Sequence, residues 1–303
     1  IAGGVEVGFR EMMLRLAAFL LYPLTGWRRR IRIEQMMVET GDDVAEQATE
    51  ILRRYGAVIV SVPLDNEIID QARDAFSEFI SGARDAMGDL DHFTCEQYHV
   101  QDGLSIFDHY GALASADRPV VYIRRGETDD GLVDLFGVSE LDVGGDEAKM
   151  CIDVVKSDLV KEIIQRATGV NYQRTSTNLY HNQSVTKTRR LHVDGLIPRV
   201  KSFLMLTDVT SLEDGPFTYV PKSHRWKRIN GLNHILNRFF RHSGAVTDST
   251  LISERLGLPL TAKKGRLIIS FQHGAHRGWP QSQGRVRTAL VQSWDPEDRT
   301  SVH

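Results

Sequence analysis

Between residues 42 and 55 the apolar positions Val44, Ala48, Ile51, Leu52 and Tyr55 recur at the spacing of one helix face, and Asp42 or Asp43 stands where an N-cap belongs. "GAVIVSVP" follows, an apolar run too short for a helix and closed by a proline, which predicts a buried strand. A second amphipathic stretch runs from about Asp65 to Ile80, with Ile68, Ile69, Ala72, Phe76 and Phe79 on its apolar side; Gly82 is the expected stop. Residues 126–147, "GETDDGLVDLFGVSELDVGGDE", are acidic and punctuated by glycine and read as a surface loop or lid. Their aspartates are spaced too loosely for a calcium loop. Ser157 to Ala167 is a further short helix, ended by Gly169.

After Asn171 the period changes. "YQRTSTNLY", "RLHVDG", "KSFLMLTDV", "PFTYVP", "GRLIISFQH" and "RVRTALVQSW" are strand-like runs separated by turn residues, interrupted once by a helical insertion around "INGLNHILNRFFRH". Helices first and strands afterwards predict an α+β protein whose strands close into a barrel or sandwich. No repeat or low-complexity linker divides the chain, so residues 42–303 are expected to form one domain behind an N-terminal extension, 1–41.

That extension carries "MLRLAAFLLYPLTGWRRRIR", whose apolar run is shorter than the ~20 residues a bilayer requires. Its arginines follow the apolar run, whereas a secretory signal places positive charge ahead of it. Two readings stand: a helix packed on the domain or at a subunit contact, which is preferred, and an interfacial helix with Trp27 and the arginines at a membrane surface. Composition adds bounds rather than function. The 303 residues are 41% hydrophobic and 25% charged with a net charge of -3, the proportions of a globular protein, and they give no hint of a nucleic-acid partner. Two cysteines, Cys95 and Cys151, are too few for a disulfide framework and suit a reducing, cytoplasmic setting; without a Cys-x-x-Cys spacing a thiolate zinc site is not expected.

The chemistry sits in the strand-like half. His192 and Asp194 are two positions apart in "RRLHVDG", so on a strand they share a face and offer adjacent metal ligands. Two histidines and one carboxylate make the facial triad that leaves positions open on Fe(II), which makes a later histidine the test. "GRLIISFQHGAHRGWP" supplies two candidates, His273 and His276. Beyond them, Arg285 and Arg287 alternate in "GRVRTAL", and a buried arginine there is costly unless it meets an anion such as the far carboxylate of a dicarboxylate.

At these residues the chain resembles the phytanoyl-CoA dioxygenase-like proteins. "LTDVTSLEDGPFTYVPKSHR" is similar to the segment that follows their His-x-Asp, "YGAVIVSVPLDNEII" to their opening strand and helix, and "DDGLVDLF" to a mid-chain segment; the resemblance covers roughly residues 42–295. It implies a double-stranded β-helix (jelly-roll, cupin-like) core with flanking helices and an enzyme using Fe(II), 2-oxoglutarate and O2. By position, His192, Asp194 and His276 would bind iron, and Arg287 would hold 2-oxoglutarate, since eleven residues from histidine to arginine is the family's usual step. That step prefers His276 to His273 and Arg287 to Arg285. His224 falls in a segment the family uses as a structural turn.

Asn178 is a weaker candidate for touching 2-oxoglutarate or substrate, and Trp279 for walling the pocket. Because Asp194 is present where related halogenases carry a small residue, the implied reaction is hydroxylation, or a related desaturation or demethylation, of a small-molecule or carrier-linked substrate, with release of succinate and CO2. The basic residues Lys187, Arg189, Arg190, Arg199 and Lys201 flank the His-x-Asp strand and read either as a solvated strand end or as a handle for an anionic, CoA- or carrier-linked substrate. A jelly-roll binding protein without the reaction and a cupin-type metal-dependent isomerase are the competing classes.

Overall fold

The computed structural model describes residues 31–87, 92–94, 120–123, 128–141, 143–195, 197–240 and 247–298. The proposed N-terminal helix, Trp27 and Cys95 lie outside these residues. The described chain is mixed α and β, built on two sheets.

The large sheet has nine strands in the order β1-β2-β12-β8-β14-β6-β5-β4-β3. These are β1 (Met37–Val38), β2 (Ala57–Ser61), β3 (His92–Thr94), β4 (Val120–Ile123), β5 (Val133–Phe136), β6 (Tyr172–Gln183), β8 (Val200–Met205), β12 (Arg266–Phe271) and β14 (Val286–Pro296). The small sheet has five, in the order β10-β7-β13-β9-β11: β7 (His192–Val193), β9 (Phe217–Tyr219), β10 (Thr247–Asp248), β11 (Leu258–Leu260) and β13 (His276–Gly278).

Period-two alternation divides the large sheet's residues between two cores. One face presents Val58, Val60, Leu179, Leu204, Leu267, Ile269 and Leu290, and packs against α1 (Val44–Tyr55), α2 (Asn66–Met87), α3 (Gly145–Val155) and α4 (Asp158–Thr168). The other face presents Ala57, Ile59, Phe203, Met205, Ile268, Ala289 and Val291, which pack with Phe217, Tyr219 and Leu260 of the small sheet. The Phe203 and Phe217 rings, one from each sheet, lie 5.0 Å apart. A fifth helix, α5 (Lys227–Phe240), is the insertion expected from the sequence, and every strand-like run after Asn171 contributes a strand.

Two local expectations need correction. Helix α2 does not stop at Gly82 but runs to Met87, because Gly82 is exposed, keeps an ordinary φ, and is followed by good helix formers. "VDLF" inside the acidic segment is not loop: β5 is buried throughout and pairs with both β4 and β6. The N-cap expectation holds: Asp43 occupies that position in α1, with no capping bond from its side chain.

Candidate metal centre

His192 and His276 come from different strands of the small sheet and are register partners, β13 running antiparallel to β7. Both are buried, with ring centroids 4.6 Å apart. Each places Nδ1 2.9 Å from the carbonyl oxygen two residues before it, Arg190 for His192 and Gly274 for His276. A carbonyl only accepts, so Nδ1 carries the hydrogen and Nε2 is left with its lone pair free. Both Nε2 atoms face the same oxygen: Asp194 Oδ1 is 3.6 Å from that of His192 and 3.5 Å from that of His276.

Burial, followed by the neighbouring His276 and Arg189, pushes the His192 imidazole down to about 3, so the ring is neutral at physiological pH. Burial works to raise the Asp194 carboxyl, but Lys201 and the two imidazoles hold it well below the usual carboxylate range. The three side chains thus offer two imidazole Nε2 atoms and one anionic oxygen, all within 4.8 Å of one another. Ligands about 2.1 Å from a common ion and at right angles would stand about 3 Å apart, so the two histidine–carboxylate separations of 3.6 and 3.5 Å need close only by about half an ångström to hold a divalent metal.

The alternatives separate by position. His273 lies in the turn between β12 and β13, where its ring packs edge-to-face with His224 at 6.2 Å and against Phe271 at 5.3 Å. Together these line a different cavity of roughly 640 Å³, and burial pushes His224 down to about 4 and His273 to about 3. Neither joins Asp194. Arg285 was grouped with Arg287 on one face, but it precedes β14 after the left-handed Gly284, so the alternation does not reach it. Its half-exposed side chain pairs with Glu213 at 3.0 Å and with Asp214 at 3.4 Å.

Arg287 points between the sheets. It pairs across β14–β6 with Asn182, donates to the Gly215 carbonyl, and makes no ion pair among the described residues. A Cβ added at Gly278 would lie 3.3 Å from its Nη2, which is why the small-sheet backbone can pass so close to the guanidinium. Burial draws this arginine down to about 10, still fully charged at neutral pH. Asn178, Tyr180 and Asn182 share the interior face with it, and the Oδ1 atoms of both asparagines are buried without a hydrogen-bond partner among the described residues. His181 turns to the opposite face and meets Thr288 Oγ1 at 3.0 Å. Trp279, half-buried, lies under the Arg277 guanidinium rather than beside the triad.

The basic residues flanking His192 are not a free patch. Arg189 pairs with Asp129 at 2.6 Å, Arg190 with Glu254 at 3.5 Å and Arg199 with Asp295 at 2.6 Å. Lys201, which the sequence offered only as one of this basic group, reaches across from β8 to Asp194 Oδ2 at 2.7 Å. Only its interior, odd-numbered place on β8, beside Phe203 and Met205, distinguishes it from a solvated lysine.

No protein-family model matches the chain, and no curated protein matches it in sequence. Solved structures do. The non-heme α-ketoglutarate-dependent carbocyclase SnoK from nogalamycin biosynthesis superposes with a TM-score of 0.55 at 15% identity, covering 86% of this chain and 88% of SnoK. AviO1 from Streptomyces viridochromogenes gives 0.50 at 14% identity, covering 86% of this chain and 98% of its own. The epimerase SnoN, in complex with Fe3+, α-ketoglutarate and nogalamycin RO, gives 0.50 at 13% identity over 84% and 85% of the two chains. At such identities the likeness is one of fold.

Among the described residues no helix is long and apolar enough to cross a membrane.

Proposed function

We propose that this chain is an Fe(II)- and 2-oxoglutarate-dependent oxygenase with a jelly-roll core, akin to the phytanoyl-CoA dioxygenase-like proteins, that hydroxylates a small molecule. The observation that carries the proposal is the pairing of two features in one interior: a two-histidine, one-carboxylate cluster, and a half-buried arginine with no carboxylate partner among the described residues. A metal-dependent isomerase on a similar barrel has use for the first and none for the second. The shared fold with α-ketoglutarate-dependent enzymes supports the same reading.

His192 Nε2, His276 Nε2 and Asp194 Oδ1 would hold the iron, which when bound supplies oxidation of the substrate by O2 coupled to decarboxylation of 2-oxoglutarate. Arg287 offers its free guanidinium edge to the distal carboxylate of that cosubstrate, a bidentate geometry that fixes its long axis. Asn178 presents an amide to the same interior, within which Phe203, Phe217 and Val291 form an apolar wall that keeps water out. The two histidines do no proton transfer in this scheme, because their Nδ1 hydrogens are committed to backbone carbonyls. An anionic substrate handle finds little support, since most of the flanking basic residues are already paired.

The test is formation of succinate from 2-oxoglutarate by the purified chain, which occurs slowly in such enzymes even without substrate. Production that requires both Fe(II) and O2, and that falls away in Arg287→Ala, is expected. No succinate from protein shown to hold iron would reject the oxygenase.

A further inference from the structure

The Asp194 carboxylate is divided between two tasks. Oδ1 faces both histidine Nε2 atoms, at 3.6 and 3.5 Å, while Oδ2 accepts a hydrogen bond from Lys201 Nζ at 2.7 Å. Lys201 comes from the facing sheet, its side chain only 15% exposed, and Asp194 is its one carboxylate partner among the described residues. Its register neighbours on β12 and β14 are Ser270 and Ser293, and the Tyr180 ring lies 5.9 Å from the ammonium. Nothing in that surrounding competes for the ammonium as strongly as Oδ2 does.

We propose that Lys201 confines Asp194 to a single ligating oxygen and so determines how many positions stay open on the metal. A carboxylate free of other partners can chelate an ion through both oxygens. Here the second oxygen is occupied by a charge-assisted hydrogen bond, which is about twice as strong as a neutral one. An ion drawing in Oδ2 would have to break that bond and move closer to an ammonium of like charge. One-oxygen ligation leaves about three of six octahedral positions to incoming molecules, whereas chelation leaves about two. A bidentate cosubstrate and O2 together need the larger number. Lys201 is accordingly a positioning residue that acts through Asp194.

This inference rests on the triad holding a divalent ion, though not on the oxygenase reaction. Mn(II), a redox-silent octahedral probe, is bound to the full chain, and the exchangeable waters on the bound ion are counted by water-proton relaxation. The wild type is expected to show about three, Lys201→Met about two because the released Oδ2 chelates, and Lys201→Arg about three because it keeps the charged donor. Lys201→Met is refolded with Mn(II) in excess, so that the unpaired carboxylate is never left without a cation. Three waters in Lys201→Met, or loss of one in Lys201→Arg, overturns the proposal. Two waters in the wild type overturns it without any variant. Failure of the wild type to bind Mn(II) at all removes the metal centre itself, a result distinct from a wrong count.

Discussion

His192 and His276 face one another across a single register pair of the small sheet, and each is locked by the same device, an Nδ1 hydrogen given to the carbonyl two residues before it. The strands thereby fix ring orientation and tautomer before any ion arrives, which is the usual role of groups standing behind metal ligands.

His276→Ala should abolish tight binding of Fe(II) or its Co(II) substitute, and Asp194→Asn should do the same by removing the only anionic donor among the three. His273→Ala should leave metal affinity within a few-fold of wild type, because that ring lies in the cavity with His224 and meets neither Asp194 nor His192. Equilibrium metal titration of the variants distinguishes them directly.

Arg287→Ala should raise the KM for 2-oxoglutarate steeply. Removing one partner of a buried charge pair costs about 2–5 kcal/mol, or about 30-fold and upward in affinity. Arg285→Ala, which removes a half-exposed side chain paired with Glu213 and Asp214, should change it by less than about twofold. Steady-state kinetics with 2-oxoglutarate as the varied reactant provides the measurement.

Gly278 yields a cleaner probe of the same pocket. Its φ is ordinary, so alanine meets no backbone penalty, but the new methyl would sit 3.3 Å from Arg287 Nη2. Gly278→Ala should raise the KM for 2-oxoglutarate while leaving Tm nearly unchanged. By contrast, Gly274→Ala would drive a Cβ to 1.8 Å from the Tyr219 hydroxyl, and should lower Tm as well as metal affinity, because the Gly274 carbonyl is the acceptor for His276.

The outer core carries its own prediction. Trp294 is fully buried and its indole Nε1 donates to Ser202 Oγ at 3.0 Å, while that hydroxyl donates to the Val155 carbonyl at 2.9 Å, tying both strands to α3. Ser202→Ala leaves a buried donor and a buried acceptor without partners. It should destabilise the fold by about 1–3 kcal/mol in urea denaturation, with the metal centre intact.

How much of this was readable beforehand differs from residue to residue. The His-x-Asp pair and the later histidine and arginine were legible because the chemistry dictates residue types, and strand alternation dictates their spacing. The preference for His276 over His273 needed the family's step; in the structure His276 is the one that lies beside His192 and Asp194, because of where the turn ends and β13 begins, a boundary that "FQHGAH" does not announce. Arg285 and Arg287 look equivalent under alternation, which holds only once the strand has started. Lys201 was hidden for another reason: its partner is brought to it by the packing of two sheets, and a lysine near other basic residues reads as solvated. Strand β5 was obscured by the acidic and glycine-rich residues around it, since its burial comes from neighbours on both sides rather than from its own pattern.

The central claim is that one ion and one dicarboxylate meet between these sheets. The most direct measurement is anaerobic addition of 2-oxoglutarate to the Fe(II)-loaded chain, watched for the weak visible charge-transfer band of the chelate, with His276→Ala and His273→Ala alongside. A band in the wild type and in His273→Ala, absent from His276→Ala, is the predicted result. No band from protein with iron demonstrably bound, or a band that survives in His276→Ala, would contradict the account.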